Sequence, residues 1–230
     1  MIDRAIEILP TYVPESADGL AEAAKRVRAY ASEFHIDVDD GIFAPPVTWP
    51  YSEAGSFTRF DLSGVEGLVS EIHLMVQDPK AIGLAFAEAG AHRIVAHIEA
   101  FASAREAEEA LQAWKENGAR EVGLGLLMQT PFEKIAPLLP RLDVVHMMSI
   151  ARIGTQGIPY EPMAPARIAE FSARFPGVLI SVDGGVSENN IQDLVRAGAR
   201  RFGVGSAISK AADPAAAYQR IKSVAEAAAA

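Results

Sequence analysis

Short apolar runs of strand type alternate with stretches of helical length along almost the whole chain. This alternation is typical of an α/β protein with a parallel sheet. The predicted strands are Ile6 to Val13, Phe34 to Asp39, Glu71 to Val76, Arg93 to Ile98, Glu121 to Met128, Val144 to Ile150, Val178 to Val182 and Arg201 to Val204. Eight strand-helix units in 230 residues match the size of a (β/α)8 TIM barrel, and we expect one such domain over residues 1–230.

The ends of the predicted helices support this order. Ala89-Gly90-Ala91 and Ala197-Gly198-Ala199 each place a glycine where a helix must stop before the next strand begins. A doubly wound open sheet is the alternative architecture. No Gly-x-Gly-x-x-Gly motif follows the first predicted strand to favour it.

Composition narrows the classes of function. The chain has no cysteine and a net charge of −9, which excludes disulfides and thiolate catalysis and argues against nucleic acid as a partner. It contains no apolar run long enough to cross a membrane, and its start, Met1 to Arg4, lacks the basic and apolar stretch of an export signal. We therefore expect a cytoplasmic protein that binds neither membrane nor nucleic acid.

Several predicted strands end in side chains that can bind a divalent metal ion. His35 and Asp37 point to the same face because alternate residues of a strand do so. His73 and Asp183 end two other strands. In a closed parallel barrel these four side chains converge at the carboxyl ends of the strands, where barrel enzymes have their active sites. The alternative is that these side chains form a buried network of charges with a purely structural role, and burying charges in that way costs considerable free energy.

Two further histidines have more than one interpretation. His97 and Glu99 share a face of their predicted strand. This placement favours a role in holding the metal ligands in position, and it is equally compatible with a buried pair that only stabilises the core. His146 alternates in phase with Met148 and faces either the barrel interior or the helices.

Five segments together resemble the ribulose-phosphate 3-epimerase family in order and spacing. They are His35-Ile36-Asp37-Val38-Asp39-Asp40-Gly41, His73-Leu74-Met75-Val76, His97-Ile98-Glu99-Ala100, Val182-Asp183-Gly184-Gly185-Val186 and Gly205-Ser206-Ala207. The resemblance covers nearly the whole chain and implies a (β/α)8 barrel that inverts C3 of a ketose phosphate. It also implies one divalent ion, which is zinc, iron, manganese or cobalt.

The resemblance assigns roles to individual residues. His35, Asp37, His73 and Asp183 would bind the metal, and Asp37 and Asp183 would also act as the two acid/base groups. Inversion beside a ketone needs a proton removed from one face and another returned to the opposite face, and two carboxyl groups suit that task. Thr11 and Met75 would lie near the substrate, and its phosphate would bind at Gly184, Gly185, Gly205 and Ser206. Barrels of this kind associate through helix faces, so a homo-oligomer is expected.

The chain departs from the family pattern at two places near the site. Asp39 stands where the family usually has methionine, which adds a carboxylate beside the predicted ligands. The loop Ala151 to Gly157 replaces a glycine-rich segment, and its Arg152 is a candidate anion donor. These changes leave the exact ketose phosphate open. A catalytically idle phosphosugar-binding barrel and an aldolase or decarboxylase of related phosphate-binding barrels are the alternatives.

Overall fold

The computed structural model describes residues 5–154 and 158–229. Within these residues, the barrel strands are β1 (Glu7–Tyr12), β2 (Glu33–Asp39), β5 (Val69–Met75), β6 (Arg93–His97), β7 (Glu121–Leu126), β8 (Val144–Met148), β9 (Ile180–Asp183) and β10 (Arg201–Val204). These eight parallel strands form a closed barrel with the order β1-β10-β9-β8-β7-β6-β5-β2. The predicted (β/α)8 barrel is therefore confirmed. Predictions about Met1 to Arg4 and Thr155 to Gly157 lie outside the described residues.

The helices cover the outside of the barrel. They are α1 (Ala17–Val27), α2 (Pro79–Glu88), α3 (Ala104–Glu116), α4 (Ala164–Arg174), α5 (Ile191–Arg196), α6 (Ser206–Ser209) and α7 (Pro214–Ala229). Serine side chains cap two of them: Ser16 accepts a hydrogen bond from Gly19 N, and Ser103 accepts one from Glu106 N. Among the described residues, no helix combines the length and apolar character needed to cross a bilayer.

Two connections differ from the simple strand-helix alternation. After β7 the chain forms 3-10 helices at Phe132–Lys134 and Ala136–Arg141 in place of an α-helix. Pro140 lies inside the second of these, where its missing N–H disfavours an α-helix. The long connection after β2, predicted to be irregular, contains a small antiparallel hairpin of β3 (Tyr51–Glu53) and β4 (Ser56–Phe57).

The main hydrophobic core lies between the barrel wall and the helices. Outward-facing strand residues such as Ile36, Ile72 and Leu124 are fully buried there. The opposite set of side chains points into the barrel, because strand residues alternate between faces. That inner set includes His35, paired in register with Thr11 and Glu71 on the neighbouring strands. The barrel interior is therefore strongly polar.

Candidate active site

The four predicted metal ligands come together at one end of the barrel interior. His35 and Asp37 lie on β2, His73 on β5 and Asp183 at the end of β9. Asp37 Oδ1 lies 3.2 Å from His35 Nε2 and 3.0 Å from His73 Nδ1. Asp183 Oδ2 approaches the same His73 Nδ1 to 3.8 Å. Side chains from three strands therefore converge on one small volume.

A second carboxylate, that of Glu71, contacts the ring nitrogen of His35 that faces away from Asp37. Glu71 Oε1 lies 2.9 Å from His35 Nδ1, and Arg201 donates to Glu71 Oε2 at 2.9 Å. Arg201 also donates to Glu7 and Glu121 at 2.8 Å each, so its buried charge is compensated. With Nδ1 held by Glu71, Nε2 of His35 is the ring nitrogen that faces Asp37.

His73 is supported in a similar way by His97 on β6. His73 Nε2 lies 2.9 Å from His97 Nε2, which leaves Nδ1 of His73 facing the two aspartates. His97 Nδ1 lies 3.4 Å from Glu99 Oε2. Glu99 follows the end of β6 in the 3-10 turn Ile98–Ala100 and accepts hydrogen bonds from Leu127 N and Thr130 Oγ1. The prediction that both residues lie on the strand itself is therefore wrong for Glu99.

The site favours a positive charge. The carboxylates of Asp37 and Glu71 hold the pKa of His35 well above its usual value, although burial of the imidazole opposes this. Donor atoms of His35, His73, His146 and Asp183 all lie within 4.8 Å of one another. Imidazole and carboxylate are the ligand types that bind zinc and similar borderline ions. These residues therefore fit a divalent cation.

The two aspartates have opposite electrostatic environments. Burial raises the pKa of Asp37, but hydrogen bonds from His35 and His73 outweigh it and hold the pKa below its ordinary value. For Asp183, burial and then the charge of Asp37 raise the pKa to about 6. One carboxyl group is thus kept ionised while the other binds a proton more readily, which is the pattern of a base and an acid in one site.

Asp39 also points into the cavity. Burial, followed by the charges of Asp37, Asp40 and Asp183, raises its pKa to about 8. Its Oδ1 has no hydrogen-bond partner in the part of the chain that the structure describes. The added carboxyl group is therefore largely protonated near neutral pH and able to donate a hydrogen bond.

The predicted substrate-binding residues line a cavity of about 1120 Å³ above the aspartates. They are Thr11, Met75, Gly184, Gly185, Gly205 and Ser206. Gly184 and Gly185 have φ angles of 109° and 67°, which residues with side chains rarely adopt. Gly184 is buried, whereas Gly185 is exposed. The Asp39 carboxyl group shares the cavity, whereas Arg152 is exposed outside it.

Several residues that shape the site were not singled out from the sequence. Glu71 and Arg201 position His35. His146, whose orientation the sequence left open, points into the barrel and packs against the rings of His35 and His73. A Cβ atom added at Gly203 would lie 2.8 Å from Asp183 Oδ1, so glycine leaves room for this carboxylate. The parity of Glu71 with His73 on β5 was the available signal for Glu71.

Comparison with known proteins identifies the family of this chain. Residues 7–209 match the ribulose-phosphate 3 epimerase family. The chain belongs to this family. The ribulose-phosphate 3-epimerase of Aquifex aeolicus is 36% identical over 202 residues, which cover 86% of each chain. That of Escherichia coli (strain K12) is 32% identical over 191 residues, or 81% of each chain. The predicted membership in a family of carbohydrate epimerases is thus confirmed.

Solved structures support the same architecture. The 3-hexulose-6-phosphate synthase of Salmonella typhimurium superposes with a TM-score of 0.70 at 18% sequence identity, over 96% of this chain and 98% of that one. At this level of identity the likeness concerns the fold alone. Activity must therefore be argued from the site of this chain.

Proposed function

We propose that this epimerase-family chain inverts C3 of a ketose phosphate, either ribulose 5-phosphate or a related pentulose or hexulose phosphate. The observation that carries the proposal is the pair Asp37 and Asp183. Both carboxylates approach Nδ1 of His73, at 3.0 and 3.8 Å, and their pKa values are shifted in opposite directions. Two carboxyl groups in one cavity with different proton affinities suit proton transfer on two faces of one carbon.

The proposed proton path uses these two side chains alone. Ionised Asp37 removes the C3 proton from one face of the substrate, and the electron pair of the C–H bond moves into an enediolate. Protonated Asp183 then delivers a proton to the opposite face of C3. Each forward turnover leaves Asp37 protonated and Asp183 ionised, and both groups return to their starting states by exchanging protons with solvent. In the reverse direction the two residues exchange roles.

We assign the divalent ion to His35, Asp37, His73 and Asp183, and expect zinc, iron, manganese or cobalt. When bound, such an ion neutralises negative charge that develops on the substrate oxygen. The imidazoles of His35 and His73 present nitrogen donors because Glu71 and His97 occupy their other ring nitrogens. Asp37 is held in place by both imidazoles, and Asp183 Oδ2 lies 3.8 Å from Nδ1 of His73.

The phosphate end of the substrate is assigned to the glycine rim of the cavity. Backbone N–H groups at Gly184, Gly185, Gly205 and Ser206 suit an anion, because glycine allows close approach to the main chain. Thr11 lines the same cavity as Asp183, and its hydroxyl suits a substrate hydroxyl. Met75 provides an apolar wall.

The experiment is an epimerisation assay on chelator-treated protein, with ribulose 5-phosphate and other ketose phosphates followed by NMR. We expect formation of the C3 epimer after one divalent ion per chain is restored, and little without it. Binding of a ketose phosphate with no epimer formed from any substrate would instead indicate a ligand-binding barrel. Carbon–carbon bond cleavage would indicate an aldolase.

A further inference from the structure

His146 is a histidine of the barrel interior that the proposed mechanism does not use. It lies on β8, paired in register with Ser181 on β9 and Gly125 on β7. The side chain is fully buried, and its Nδ1 lies 3.1 Å from Ser181 Oγ. This contact fixes the ring orientation and leaves Nε2 as the free donor atom.

His146 belongs to the cluster of metal-ligand candidates. The His146 ring lies 5.6 Å from the His35 ring, nearly parallel at 13°, and 4.5 Å from the His73 ring, between ring centroids. Nε2 of His146 has no hydrogen-bond partner within residues 5–154 and 158–229. Burying a ring nitrogen without a hydrogen-bond partner costs free energy, and a metal ion bound to this nitrogen would remove that cost.

Distances within the cluster suit a shared ion. One donor atom each from His35, His73, His146 and Asp183 can be chosen so that all lie within 4.8 Å of one another. Zinc and similar ions bind nitrogen and oxygen donors at about 2.0–2.2 Å, so two ligands of one ion lie at most about 4.4 Å apart. The donors of this cluster, all within 4.8 Å of one another, therefore exceed that spacing by at most about 0.4 Å.

We propose that His146 is an additional ligand of the divalent ion, so that the metal centre of this chain contains three imidazoles. The inference rests on the metal site of the proposed function and adds a ligand on the floor of the cavity, away from the substrate. A structural role for His146 offers a weaker account, because an apolar side chain would fill the same space without an unpaired nitrogen.

A third imidazole has a chemical consequence for the choice of ion. Imidazole suits zinc, cobalt, iron and nickel, whereas carboxylate and water suit magnesium and manganese. The centre of this chain is therefore expected to select zinc, cobalt or iron(II) over manganese and magnesium. The selectivity is measurable on the protein without any substrate.

The test begins with the wild-type protein. Chelator-treated protein is loaded with one zinc ion per chain, and the imidazole ligands are counted by extended X-ray absorption fine structure. Three imidazoles support the proposal, and two overturn it while leaving the proposed function intact. Failure to bind any divalent ion overturns both this proposal and the metal site of the proposed function. This measurement needs no substitution and is independent of catalysis.

Variants then assign the third imidazole. His146→Leu is expected to lower cobalt(II) affinity at least tenfold and to change the visible absorption bands of the bound cobalt. His92→Leu is the matched control, because His92 contacts Ser70 outside the cavity. The control is expected to retain wild-type affinity and spectrum. A folded His146→Leu variant with unchanged affinity and spectrum overturns the proposal.

Discussion

Nδ1 of His35 lies 2.9 Å from Oε1 of Glu71, deep inside the barrel and on the opposite side of the ring from Asp37. Glu71 is in turn bound to Arg201, so a chain of buried charges leads from the amino-terminal end of the barrel to the site. Such carboxylate–histidine pairs orient metal ligands and strengthen their binding. The polar floor of this barrel is therefore part of the proposed catalytic centre.

Substitution of Glu71 by glutamine tests this relationship. Glu71→Gln is expected to lower zinc affinity by roughly 10- to 100-fold, because His35 loses the negative partner that raises its basicity. Isothermal titration calorimetry measures the effect. Glu121→Gln is the matched control, since Glu121 also binds Arg201 but does not contact His35. Equal losses in both variants would assign the effect to the charge network as a whole.

Substitution of Gly203 tests how precisely the Asp183 carboxylate must be positioned for catalysis. An added Cβ at this residue would approach Asp183 Oδ1 to 2.8 Å and Thr11 Oγ1 to 3.2 Å. Gly203→Ala is expected to displace the carboxylate and reduce kcat by on the order of 100-fold, as small misplacements of catalytic groups do. Steady-state kinetics with circular dichroism as a fold check measures this.

A control for Gly203→Ala is available on the opposite wall of the barrel. Gly125→Ala also adds a methyl group to the interior, but its Cβ would meet the His97 ring at 3.2 Å. A much smaller loss of kcat is expected there. Full activity of Gly203→Ala would show that Asp183 tolerates displacement and is not an acid/base group.

Glu99 gives a prediction for the pH dependence of stability. Burial raises its pKa, but contact with His97 and hydrogen bonds from Thr130 and the Leu127 backbone outweigh burial and lower the pKa from 4.5 to about 2. Because the folded-state pKa is the lower one, Glu99 stabilises the fold above about pH 4.5. This contribution is lost as the pH falls toward 2.

Urea unfolding of the wild type and Glu99→Gln measures that contribution. At pH 7 the variant is expected to have a free energy of unfolding lower by on the order of 2 kcal/mol. The difference should shrink steadily between pH 4.5 and the lowest pH at which the protein stays folded. A difference that is constant with pH would exclude Glu99 as an ionised, stabilising group.

Asp39 tests which feature of the cavity selects the substrate. Asp39→Met is expected to raise kcat/KM for ribulose 5-phosphate relative to other ketose phosphates, because it removes a polar group from the cavity. Asp39→Asn keeps the size and the hydrogen-bonding capacity of the protonated side chain, so its substrate profile should stay near that of the wild type. An identical profile for Asp39→Met would show that Asp39 does not set specificity.

The sequence predicts the barrel well because strand alternation is a local signal. β2 was predicted as Phe34 to Asp39 and is Glu33–Asp39 in the structure, with His35 and Asp37 on the inner face. Local patterns are weaker where proline changes the helix type. The 3-10 helix Ala136–Arg141 after β7 is one such case, since Pro140 lies inside it and lacks the N–H of a regular α-helix.

Contacts between distant strands are less accessible from the sequence. Glu71 and Arg201 are 130 residues apart, and their contact depends on the register of the closed barrel. His146 illustrates the same limit, because its alternation with Met148 does not reveal which face of β8 points inward. That choice is set by the packing of all the strands against the helices. The positions of Asp37 and Asp183 relative to His73 required the structure for the same reason.

The central claim is that Asp37 and Asp183 exchange protons with C3 of a ketose phosphate. Incubation of metal-loaded protein with ribulose 5-phosphate and related ketose phosphates in heavy water tests it most directly. We expect NMR to show deuterium at C3, together with the C3 epimer, for at least one substrate in the wild type. Asp37→Asn is expected to give no deuterium, and Asp183→Asn, which keeps the proposed base, is expected to give no epimer. Absence of deuterium at C3 for every substrate, or undiminished exchange in both folded variants, would contradict the account.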